Sequence, residues 1–106
     1  MFVSIKGSSY ARFRRALEIG KLSLVLASAA ELPQIGLEDA LDVLALIAEQ
    51  DAAMYPRAGA RWLRRLAAER PALTMAQLRL AVAALDVLPA DARAAGVLRE
   101  LARATP

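Results

Sequence analysis

A chain of 106 residues supports one hydrophobic core and leaves no room for a second domain of ordinary size. Of its residues 58% are hydrophobic, yet 25 are Ala and 18 are Leu, set against five Gly, five Pro and few aromatics. That composition predicts an all-α fold, a compact bundle or short solenoid of about six helices built from αα-hairpins, and argues against a sandwich or barrel of β-branched and aromatic strands.

His and Cys are both absent. Disulfides, thiolate nucleophiles, imidazole bases, Cys/His zinc sites and ordinary haem ligation are thereby excluded, the last except through Met or Tyr. A nucleophile and its base would have to come from Lys, Ser and carboxylates, so the chain reads as non-enzymatic, without cofactor or metal.

The net charge of +3 is segmented. Residues 1–21 are basic, residues 22–54 carry only acids, residues 55–79 are again basic, and the remainder is balanced. The longest uncharged run, Leu22 to Ala30, is far short of the roughly 20 apolar residues of a membrane span. Arg12, Arg14, Arg15 and Lys21 ahead of that run imitate a signal peptide, but the apolar stretch is too short and has helical spacing, so the expected location is cytoplasmic.

In chain order, residues 1–7 read as a flexible or docked arm, and residues 8–106 as a single helical domain. Ser8 or Ser9 is expected to cap a first helix carrying Tyr10, Phe13 and Leu17 on one side, with Gly20 closing it. A second helix presents Leu22, Val25, Leu26 and Ala29 and ends before Pro33. The third, about 37–50, has Leu37, Ala40, Leu41, Leu44, Ile47 and Ala48 as its core face and Glu38, Asp39 and Asp42 in its N-terminal half, where they suit the helix dipole.

Pro56 is expected in the first turn of the fourth helix, which runs to about Glu69. Gly59, Trp62, Leu63 and Leu66 share one side, with Trp62 the core anchor, while Arg57, Arg61, Arg64 and Arg65 form a basic face on the other. Thr74 and Gln77 have capping-box spacing at the start of the fifth helix, and Asp91 after Pro89 opens the sixth, whose stripe is Ala94, Val97, Leu98 and Leu101. An offset of 38 residues aligns the second and third helices with the fourth and fifth, Val25 on Leu63 and Pro33 on Pro71, as in a degenerate tandem of hairpins.

Gly20-Lys21-Leu22, Glu31-Leu32, Leu37-Glu38-Asp39-Ala40-Leu41, Arg57-Ala58-Gly59-Ala60-Arg61-Trp62, Ala76-Gln77-Leu78 and Leu88-Pro89 together resemble a family of small helical proteins from high-GC actinobacteria. The resemblance covers about residues 12–102. It implies an all-helical fold and no catalytic role, and Gly59 departs from the alanine expected at that position.

Three features bear on function. Glu38, Asp39, Asp42 and Glu49 form a dense carboxylate group, better read as a solvated face or one paired with the basic face of the fourth helix than as a metal site. Gly20-Lys21 lacks the preceding Gly and following Ser or Thr of a phosphate loop. The fifth helix has one stripe of Met75, Leu78, Val82 and Leu85 and a second of Leu80, Ala83, Ala84 and Val87, which predicts burial on both sides.

Part of that second stripe, Leu80 and Val87, together with Leu46 on the acidic side of the third helix, is the candidate interaction surface. The expected function is a protein-interaction or structural module that self-associates, with a homodimer or another protein as partner and no membrane. The alternative is an accessory nucleic-acid binder using the basic face.

Overall fold

A computed structural model describes residues 5–104 and is helical throughout, with no strand among the described residues. Six helices follow one another: α1 (Ile5–Ile19), α2 (Leu22–Ala29), α3 (Leu37–Gln50), α4 (Tyr55–Glu69), α5 (Met75–Val87) and α6 (Ala94–Arg103). Their contacts fall into two units that meet in sequence at Gly36, where the sequence predicts one domain from residue 8 onward.

The first unit is the α1–α2 hairpin. Helix α1 begins at Ile5, inside the stretch expected to be an arm, so Ser8 and Ser9 lie within the helix rather than capping it. The remainder of that expected arm, residues 1–4, lies outside the described residues. Ser9 is buried and its hydroxyl accepts from Arg12, whose guanidinium also pairs with Glu31 at 2.6 Å. Gly20 ends α1 with φ +78°, a left-handed conformation that favours glycine, and its N–H bonds back to the Ala16 carbonyl. Phe13, Ala16, Leu22 and Val25 are buried, whereas Tyr10 and Leu26, placed on the expected apolar faces, are exposed.

In the second unit α3 packs on α4, α4 on α5, α5 on α6, and α6 returns to α3. This closed ring is a four-helix bundle rather than a solenoid, in which the first and last helices would not meet. Its core combines Leu37, Leu41, Leu44 and Ile47 of α3, Tyr55, Trp62 and Leu66 of α4, Ala81, Ala84 and Leu85 of α5, Leu88 beyond it, and Ala94, Leu98, Leu101 and Ala102 of α6.

Polar side chains fasten the ring where backbone groups need partners. The Trp62 indole donates to the Leu37 carbonyl at 3.0 Å, and the buried Tyr55 hydroxyl donates to the Leu85 carbonyl at 2.6 Å. The helical partner of Leu85 would be residue 89, which is a proline and has no N–H. Tyr55 thus supplies the donor that the α5 terminus lacks. Arg70, just past α4, donates to the Ala102 carbonyl in the last turn of α6 at 2.7 Å, placing a cation at the negative end of that helix.

The boundaries follow local chemistry. Pro56 sits in the first turn of α4, and Thr74 with Gln77 closes the predicted capping box, each side chain meeting the other's backbone N–H. Helix α6 starts three residues after the predicted Asp91. Asp91 does accept from the Arg93 N–H, but Ala94, Ala95 and Gly96 bond three residues back, so the segment opens as a tighter turn before becoming α-helical.

Candidate interaction surface

The two stripes assigned to α5 do not describe what it buries. Taking about 100° per residue, Ala81, Ala84, Leu85 and Leu88 span roughly 100° between the stripes, and this arc is the buried face. Met75 is 67% exposed on one flank and Leu80 49% exposed on the other, so the prediction of burial on both sides is corrected. The physical reason is the ring. A helix touching two neighbours buries a single face, and small alanines at its centre allow close packing that a count of large side chains does not reveal.

The outcome is a shallow groove between α5 and α6. Leu80, Ala83, Ala84 and Val87 form one wall, Ala94 and Val97 the other, and Asp91 with Arg93 stands at one end. Arg93 donates to both carboxylate oxygens of Asp91 at 2.8–3.2 Å, so the charged end is internally neutralised. That contact raises the Arg93 pKa and holds the Asp91 carboxyl below its usual range, in both cases chiefly through the side-chain hydrogen bond. Leu80, Val87 and Val97 are all exposed.

Of the three candidate surface residues, the fold brings Leu80 and Val87 into this groove and leaves Leu46 out of it. Leu46 is half-buried on α3 rather than exposed. Val97 and Ala83 complete the groove. Periodicity puts Val97 on the core stripe of the sixth helix, but in the fold it is exposed.

On the acidic face of α3, Glu38 and Asp42 are matched by α6. Arg99 pairs with Asp42 at 2.7 Å and with Glu38 at 3.6 Å, and Arg103 pairs with Glu38 at 2.9 Å. The residue order, 99 with 42 and 103 with 38, is that of two antiparallel helices in register. Arg99 is held protonated above its ordinary pKa, first by the hydrogen bond to Asp42.

The basic face of α4 divides accordingly. Arg65 pairs with Glu69 one turn on, whereas Arg57, Arg61 and Arg64 are exposed and make no ion pair among the described residues. Arg57, Arg61 and Arg64 therefore do not take part in the expected pairing of this face with the acids of α3, of which Glu38 and Asp42 are engaged by α6. Trp62, on the opposite side of the same helix, is buried as the anchor predicted from its spacing.

No helix among the described residues is long and apolar enough to cross a membrane. No family model, curated protein or solved structure matches the chain.

Proposed function

We propose that the protein is a non-enzymatic helical interaction module whose partner is a second copy of itself, docked through the α5–α6 groove. The observation that carries this reading is the continuous exposure of Leu80, Ala83, Val87 and Val97 on two adjacent helices. A two-fold contact brings a surface patch against itself, so the patch must tolerate its own charge. This groove is apolar along its length, and its Asp91–Arg93 end is neutral, which favours self-contact. The Arg stripe of α4 has the opposite property, because two copies would repel.

From Leu80 to Val87 the strip runs only about 10 Å along α5. An interface built on it belongs at the small end of the range, so association depends on concentration. Size-exclusion chromatography with light scattering tests the reading. The expected result is a dimer populated at high micromolar concentration, with Leu80→Asp and Val87→Asp folded and monomeric. Leu46→Asp is the comparison outside the groove and should leave the dimer mass unchanged. A monomeric wild-type chain across that range, or dimers indifferent to both groove substitutions, would refute it.

A further inference from the structure

We infer that the exposed face of α4 binds the phosphate backbone of double-stranded nucleic acid without reading its sequence, through Arg57, Arg61 and Arg64. At helical spacing these three fall within an arc of about 60° and span about 10 Å of the axis. They lie opposite the buried Tyr55, Gly59, Trp62 and Leu66.

Among the described residues no ion pair neutralises this concentration of charge. Like charges one turn apart destabilise a helix, and Arg57 stands in the first turn, where the dipole disfavours a cation and no acid compensates it. Two of the α3 acids that could have balanced the stripe, Glu38 and Asp42, are taken by Arg99 and Arg103, and Arg57, Arg61 and Arg64 make no ion pair among the described residues. The stripe is left as a row of planar, permanently charged forks suited to phosphate oxygens.

The rest of the face selects among polyanions. Its other exposed residues between Pro56 and Ala68 are Ala60 and Ala67, so it offers no large apolar anchor of the sort on which protein interfaces depend. The aromatics of α4 are buried, which removes the stacking platform that single strands require. Helix α4 also contains no Asn or Gln, the side chains that pair with adenine edges. A regular phosphate array asks for none of these.

Fluorescence anisotropy with a labelled random-sequence DNA duplex of about 20 base pairs, titrated at several salt concentrations, tests the assignment. Three neutralised phosphates give a slope of log K against log salt of about −2.7, equivalent to about a 40-fold loss of affinity between 50 and 200 mM salt. Arg57→Gln with Arg61→Gln should lower affinity and reduce the steepness of that slope by about two. Lys21→Gln with Arg79→Gln makes the same change in net charge elsewhere and should leave both nearly unaltered. Circular dichroism checks that each variant is folded. Absence of saturable binding at 50 mM salt, equal losses in the two double variants, or equally tight stripe-dependent binding of polyglutamate would each overturn the assignment.

Discussion

The indole N–H of Trp62, in the middle of α4, donates to the carbonyl of Leu37, the first residue of α3, at 3.0 Å, while its ring is almost wholly buried. One side chain therefore fills the core and ties the start of one helix to the centre of the next. Trp62→Ala is expected to destabilise the fold by about 3–5 kcal/mol, through lost burial and the cavity left behind. Trp62→Phe should cost less, because it retains most of the apolar area even though it loses the hydrogen bond. Urea denaturation measures both, and the wild-type indole should be shielded from iodide quenching.

Tyr55 couples the bundle to alkaline pH. Burial, and secondarily the charge of Asp86, raise its phenol pKa above the ordinary value. The folded chain holds this proton more tightly than the unfolded one. Its contribution to stability is therefore complete below about pH 10 and is lost as pH rises through the folded-state value. The difference in stability between wild type and Tyr55→Phe should shrink across that range. At neutral pH the substitution should cost about 1–3 kcal/mol, since the Leu85 carbonyl loses the donor that Pro89 does not provide.

Two helical glycines are sites of gain. A methyl group added at Gly96 meets nothing within 4 Å, and one added at Gly59 meets only the Tyr55 ring at 3.8 Å, an ordinary contact. Gly96→Ala and Gly59→Ala should each stabilise the fold by up to about 1 kcal/mol through helix propensity. Gly20→Ala should do the reverse despite open space around it, because its backbone is left-handed. Thermal melts of the three variants check both signs.

The α3–α6 ion pairs should be measurable but modest. Asp42 and Arg99 are each 29% exposed in their side chains, and their contact is 2.7 Å. A double-mutant cycle of Asp42→Asn and Arg99→Gln is expected to give a coupling of about 0.5–1 kcal/mol that declines with added salt. An equal coupling between Asp42 and Arg61 would contradict the pairing observed.

Periodicity, proline and glycine punctuation and the Thr74–Gln77 spacing were enough to locate the helices, their main breaks and the burial of Trp62, because each depends on residues only a few positions apart. The start of α1 was less legible, since Ser8 and Ser9 are preferred cap residues by local chemistry and yet lie inside the helix. Which face of α5 is buried could not be read from α5 at all. Both flanks carry large apolar residues, and only the placement of its neighbours selects the alanine-centred arc between them. The same holds for charge: sequence placed acids on α3 and arginines on α4, but closure of the ring brings Arg99 and Arg103 of α6 to Glu38 and Asp42. Local chemistry thus determined the helices, and long-range packing decided which apolar strip and which arginines were left to face solvent.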